Sequence, residues 1–290
     1  MQYLAELIIA GIAIGAIYGL IAMAYAFIYK ATGVVNFAQG EIMMLITYVT
    51  MSTLLSTGWP FWTGLLLAPP IGIVVGIVAE RLVIRPMLGQ PPFAIVMATI
   101  GLSVLMRSLI VLVWGSEPQE FPGMASQDVV DLFGIGVYPT QVIGVAIFGL
   151  AAAGIWLFLG YSRLGTAMCA TAISEQVAML MGVDVRKVSS LSWAGAAALS
   201  GLAGVLFALT TYVGPDLFIV GLKAFPATIL GGLDAVTGSA LGGIIIGITE
   251  NVVGGYFDTS LKEIAGFLVI ILMLMVKPNG LFGERDVERV

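Results

Sequence analysis

Apolar residues in this chain come in long unbroken runs, and polar residues gather into a few short stretches between them. The runs over 7–29, 62–79, 93–114 and 141–160 are each long enough, as helix, to cross a hydrocarbon layer about 30 Å thick. Further runs cover 42–55, 191–213, 240–253 and 264–276. The pattern predicts an all-α polytopic membrane protein of about eight or nine transmembrane helices, some broken or re-entrant. It reads as a single transmembrane domain over 1–290.

The interruptions carry the information. The stretch 30–40, KATGVVNFAQG, is polar and glycine-bearing, yet apolar sequence resumes at once after it. Asn36, Gln39 and Glu41 lie at its end. One reading is a helix broken at membrane depth, where backbone polar groups are tolerated only inside protein or along a wet cavity. The other is a tight turn outside the membrane, with Asn36 as a helix N-cap and Glu41 in the first turn. In the second half, 214–221 reads as a turn between spans. The apolar part that follows, before Gly231–Gly232, is too short to span alone and reads as a short or re-entrant helix. Gly11, Gly15 and Gly19 recur every fourth residue, which marks a close-packed helix face. Arg107 falls inside the fourth span, where charge is costly; it is expected to snorkel to the interface or to pair with an acid such as Glu117.

The loops assign sides. The loop 115–139 has Glu117, Glu120, Asp128 and Asp131 and no Lys or Arg, so it is expected outside the cytoplasm. The stretch 80–92, ERLVIRPMLGQPP, with Arg81 and Arg85, is expected inside. So is 161–188, YSRLGTAMCATAISEQVAMLMGVDVRKV, which carries Arg163, Arg186 and Lys187. Its alanines and methionines suit one or two short helices ending near Gly182. It is either a docking surface for a soluble partner or a simple connector.

Composition narrows the chemistry. Of 290 residues, 59% are hydrophobic and only 10% charged, with a mean hydropathy of +1.06, so most of the surface must face lipid. There is no histidine, and Cys169 is the single cysteine, which removes thiolate clusters and the commonest general base. No GxxxxGK[ST] phosphate loop occurs, so if transport is driven by ATP another subunit must supply the ATPase.

Several motifs together resemble one family over nearly the whole chain: GAIYGLIAMAYAFIYKATGVVNFAQGEIMML, ERLVIRPM, ATIGLSVLM, RLGTAMCATAISEQVAMLMGVDVRKV, GLKAFPATILGGLDAVTGSALGG and KPNGLFG. The chain resembles the shorter, Liv-type permease subunit of bacterial ABC importers for branched-chain amino acids. The resemblance implies a multi-pass protein of the bacterial cytoplasmic (inner) membrane. Its partners would be a second related permease, two ATPase subunits, a periplasmic substrate-binding protein and membrane lipid, with no nucleic acid. It implies no cofactor bound by this chain, with ATP-Mg held by the partner subunits. The loop 161–188 would be the coupling segment, with Glu175, Ala178, Gly182, Asp184 and Arg186 as contact residues. Asn36, Gln39 and Glu41 would serve the pathway or its gate. The wider ABC importer signature, an EAA triplet and a spaced glycine, is altered here, because Glu175 is followed by Gln176 and Val177.

Two other readings remain at this stage. A secondary transporter or channel would need ionisable groups at mid-membrane; Glu41, Arg107, Asp234 and Glu250 are available, each near a span end or break. An intramembrane enzyme would need an Asp pair or a Ser–Lys arrangement within spans, and no convincing one is present.

Overall fold

A computed structural model describes residues 2–87, 89–122, 130–132, 135–173 and 175–283. It is built of helices. Helix α1 spans Gln2–Thr32, α2 Gln39–Thr57, α3 Trp62–Ala79, α4 Pro92–Trp114 and α5 Pro139–Tyr161. Two short helices follow, α6 (Arg163–Ile173) and α7 (Glu175–Leu180). Then come α8 (Val185–Ala208), α9 (Phe218–Gly231), α10 (Val236–Tyr256) and α11 (Thr259–Val276). A small antiparallel hairpin, β1 (Val130–Leu132) with β2 (Ile135–Val137), sits in the loop before α5.

Among the described residues, six helical stretches are long and apolar enough to cross a membrane: α1, α3 with its continuation to Met87, α4, α5, α8 and α10. Helices α2 and α11, of 19 and 18 residues, reach about 28 and 27 Å at 1.5 Å per residue. Helix α9 has 14 residues and reaches about 21 Å.

The bundle has two distinct ends. At the hairpin end, the Tyr3 hydroxyl donates to the Gly255 carbonyl (2.9 Å), Trp114 Nε1 donates to Ser52 Oγ (2.6 Å), and Gln119 bridges Val213. At the loop end, Lys30 Nζ reaches the Asp234 carbonyl (3.1 Å), Arg85 reaches Ser190 (2.8 Å), and the amide of Leu281 donates to the carbonyl of Leu230 (2.8 Å). The expected turn over 214–221 is therefore corrected. The chain descends from Val213, α9 already begins at Phe218, and Gly231 arrives at the loop end. Gly214, a 3-10 turn over Pro215–Leu217 and the short helix α9 make this crossing, so the segment traverses and does not re-enter. Among the described residues nine elements then alternate in direction, which puts the start of α1 and the end of α11 at opposite ends.

Small residues set how closely the helices approach. A Cβ on Gly11 would lie 2.7 Å from Cα of Ile248, and one on Gly15 2.8 Å from Cα of Ile244. The stripe expected from sequence therefore packs α1 antiparallel onto α10. Gly72 of α3 meets the backbone of Ala197 and Ala198 in α8 in the same way. Hydrocarbon gives little drive for apolar helices to associate, so van der Waals contact at such seams supplies the adhesion. The result is a core of α1, α2 and α8, with α4 and α5 outside it. Leu105, Leu109 and Leu112 of α4 and Leu150, Trp156 and Leu157 of α5 are exposed, as lipid- or partner-facing side chains should be.

Helix α3 passes directly into a π-helical turn, Glu80–Ile84, and a 3-10 turn, Arg85–Met87. That irregularity swings Arg85 back onto Glu80, which is fully buried. Both groups also bond Ser190 of α8.

Candidate translocation node and coupling surface

The break between α1 and α2 lies inside the protein. Gly33, at φ 65°, ends α1, and the chain runs without helix to Ala38. Asn36, Gln39 and Glu41 are all buried. Asn36 Oδ1 accepts from the amide of Ala38 (3.0 Å), closing a local turn, and its Nδ2 donates to Gln39 Oε1 (2.8 Å). Asn36 is thus not the N-cap of α2; Ala38 holds that place and makes no side-chain cap bond. Gln39 Nε2 continues across to α8, donating to Ser200 Oγ (2.6 Å) and to the Ala196 carbonyl (3.2 Å). The amide of Phe37 donates to Thr99 Oγ1 of α4 (3.2 Å). The side chains of Asn36 and Gln39 both find protein partners, as polar groups at a buried break should.

Glu41 is ion-paired with Arg107 of α4. Arg107 therefore neither snorkels nor turns to Glu117. Its guanidinium carbon lies 3.4 Å from the centroid of the Phe218 ring, at the start of α9, a cation–π contact. The helices come so close here because Gly40 and Gly221 face each other: a Cβ on Gly40 would stand 2.5 Å from the Phe218 carbonyl oxygen. The node thus joins α2, α4, α8 and α9 through a handful of polar atoms. Sequence reasoning named Asn36, Gln39 and Glu41, and expected Arg107 to snorkel or to pair with an acid, but missed its pairing with Glu41 and the parts played by Ser200, Phe218 and the two glycines. The available signal was the lone Arg and lone Glu in apolar runs, since a charge inside a span needs a partner.

At the loop end lie the two short helices expected, α6 packed onto the bundle through Gly165, Met168 and Thr171, and α7 more exposed. Ala178 of α7 is buried, and the amide of Val183 donates back to its carbonyl (3.0 Å). Gly182 adopts φ 84° and turns the chain, as the C′ glycine of α7. Asp184 is the N-cap of α8, accepting from the amide of Lys187 (3.2 Å), so Arg186 belongs to the first turn of α8. That bond, reinforced by the Lys187 ammonium, holds the Asp184 carboxyl below its ordinary pKa of 3.8. The side chain of Glu175 lies outside the described residues, though its backbone opens α7. Around Ala178 the surface is apolar: Ile173, Val177, Leu180 and Met181 are all exposed, Leu180 at 87% and Met181 at 81%.

The model of the family described as "Branched-chain amino acid transport system / permease component" matches residues 7–277. The chain belongs to that family. It is 30% identical to the high-affinity branched-chain amino acid transport system permease protein LivH of Escherichia coli, over 99% of this chain and 98% of that protein. It is 28% identical to the corresponding permease BraD of Pseudomonas aeruginosa, over 100% of this chain and 98% of the relative. A solved structure, PsaBC from Streptococcus pneumoniae in complex with Fab, shares the fold, with a TM-score of 0.52 at 15% identity over 96% of this chain and 93% of that one. The protein is accordingly a permease subunit of an ABC importer, embedded in the inner membrane, and not an enzyme. As such it works together with other ABC-transporter subunits. In this permease, the node occupies the middle of the bundle and α6–α7 lie at one end of it.

Proposed function

We propose that this permease moves branched-chain amino acids, or a closely related small organic solute, inward by ATP-driven alternating access. It pairs with a second related permease. Two ATPase subunits, which bind ATP-Mg in place of this chain, dock at the loop end, and a periplasmic binding protein delivers solute at the hairpin end. Charge placement supports these sides: Lys30, Arg81, Arg85, Arg163, Arg186, Lys187 and Lys277 all lie at or near the loop end, which favours the cytoplasm. LivH and BraD, named above, are permeases of branched-chain amino acid transport systems, which supports the substrate class.

The observation that carries the reading is the continuity of α8. One helix runs from Asp184, directly after the Gly182 turn, to Ser200 and Ala196, which hold Gln39. A push on α6–α7 is thus delivered along about 24 Å of rigid helix to the break before α2. Asn36, Gln39 and Glu41 are there to serve as the gate. Glu175, Ala178, Gly182, Asp184 and Arg186 form the coupling turn, with the exposed apolar side chains of Leu180 and Met181 as the docking face.

The test is uptake of radiolabelled leucine into proteoliposomes holding this permease with its co-purified ATPase and second permease, with binding protein and internal ATP. ATP-dependent accumulation is expected. Robust uptake by the permease alone under an ion gradient would overturn the reading.

A further inference from the structure

Of the two charges at the node, Glu41 is enclosed and Arg107 is not. The Arg107 side chain is 40% exposed, although it belongs to the membrane-spanning α4. An arginine presented to hydrocarbon near the centre of a span costs about 3 kcal/mol or more, so such residues face a wet pathway or a protein neighbour. The nitrogens of this guanidinium are divided in use. Nη2 is spent on Glu41, and Nε is buried. Among the described residues Nη1 has no hydrogen-bond partner, and it is not buried. The Phe218 ring lies against the guanidinium plane and Glu41 holds its edge, so the free N–H groups keep a fixed direction.

Helices α4 and α9 both pack against α2, and a strip of surface runs between them. Arg107 and Phe218 stand at its hairpin end, and the break before α2 lies at its loop end. On α4, Val104 and Ile100 follow Arg107 loop-ward on the same face, one turn and two turns away. On α9, Leu222 follows Phe218 by one turn. Phe37 closes the lower end, with its ring against Phe225 and its amide on Thr99. Ile100, Val104, Leu222 and Phe37 are all exposed. A cation thus heads an apolar strip that leads to the gate. That order of groups complements a solute with a carboxylate at one end and an aliphatic chain at the other.

We infer that Nη1 of Arg107 takes the carboxylate of the transported solute on the outer side of the gate, with the solute's aliphatic chain laid loop-ward along Val104, Leu222 and Phe37. The bond is charge-assisted, of the kind a guanidinium makes best. Glu41 already offsets much of the Arg107 charge, so the solute is held loosely. A site on a transport path must bind well enough to be entered and weakly enough to be left. Arg107 thereby selects for a carboxylate at this point of the path. The direction of travel, and the second permease that would face the open side of the strip, rest on the function proposed above; the carboxylate site itself goes beyond it.

The experiment places a thiol on the strip by Val104→Cys, an exposed position, in a Cys169→Ser background. Its reaction with a charged, water-soluble methanethiosulfonate is followed on this chain in the purified complex in nanodiscs, without nucleotide and with a non-hydrolysable ATP analogue. Reaction is expected in at least one of these states. Leucine or isocaproate, each carrying the carboxylate, should slow it roughly tenfold at about ten times the half-protecting concentration. Leucinamide, which lacks the carboxylate, should not. Arg107→Lys keeps a cation for Glu41 but gives up the planar fork, so the complex should still co-purify with its ATPase. The half-protecting concentration of leucine should then rise about tenfold, the loss of one charge-assisted hydrogen bond. A thiol inert in both states, equal protection by leucinamide, or protection unchanged in Arg107→Lys would overturn the site; ATP-dependent leucine uptake by the same complex would leave the importer reading intact. Protection by the carboxylates that Arg107→Lys weakens, in a complex that accumulates no leucine, would establish the site and sink the proposed substrate.

Discussion

The carboxylate of Glu41, in the first turn of α2, is ion-paired with the guanidinium of Arg107, two-thirds of the way along α4. The Glu41 side chain is 4% exposed and that of Arg107 40%, so the acid depends on the pair more than the base does. Removing one partner of a buried pair costs about 3–5 kcal/mol, because the other charge is left without compensation. Arg107→Met should fall near the upper figure, since it strands the buried carboxylate of Glu41. Glu41→Gln with Arg107→Met should recover much of that loss. Thermal unfolding of the four proteins in detergent forms the double-mutant cycle. Strictly additive losses would show that the two residues do not depend on each other.

Gly221 faces Gly40 across the contact between α9 and α2, and a Cβ on Gly221 would collide with the Gly40 backbone. Neither backbone can yield as a flexible side chain would. Gly221→Ala should therefore cost about 1–3 kcal/mol by overpacking and depress uptake through the node. Gly149 on α5 has open space around it and serves as the control: Gly149→Ala should lie within about 0.5 kcal/mol of the parent. Equal stability and uptake in the two variants would disprove close packing as the reason for Gly221.

Much of this architecture was legible in the sequence because membrane helices advertise themselves by length and apolarity. The Gly11–Gly15–Gly19 stripe, the break at 33–38 and the two helices before Gly182 all stand where the pattern put them. Three things were hidden. The partner of Arg107 is 66 residues away, and no local spacing encodes it. Helix α9 looked too short to cross, because part of that crossing is made outside it, by Gly214 and the 3-10 turn Pro215–Leu217. Glu80 read as part of a basic surface stretch, whereas a π-helical turn buries it against Arg85 and Ser190. Pattern reveals what a residue pairs with only along its own helix; these contacts run between helices.

Asp184 gives a prediction in pH. Its carboxyl titrates below 3.8 in the folded protein because the Lys187 amide, and then the Lys187 side chain, favour the ionised form. A lowered folded pKa means that the stabilisation is complete above the unfolded value and is lost as pH falls through the folded one. At neutral pH Asp184→Ala should unfold at a lower temperature than the parent. The gap should close as pH is taken below about 3.8, the reference for a free aspartate. A gap that persists undiminished there would show that the cap acts through something other than its charge.

Gly182 separates the two mechanical parts of the coupling segment, α7 and α8. Its φ of 84° is one that L side chains rarely adopt, yet nothing lies within 4 Å of the place a Cβ would take. A side chain there collides with nothing and strains only the backbone, by about 1–2 kcal/mol. The strain can be relieved by rotating α7 against α8, which leaves the membrane bundle as it was. Gly182→Val should therefore insert and fold normally while the angle of the docking face changes. The expected signature is ATP hydrolysis retained with leucine uptake reduced several-fold, measured together in proteoliposomes. Leu180→Asp should act differently, because it places a charge in the apolar face itself; the ATPase should then fail to co-purify, and hydrolysis and uptake should fall together. If Gly182→Val keeps the parental ratio of uptake to hydrolysis, the turn does not transmit the stroke, and α6–α7 are only an anchor.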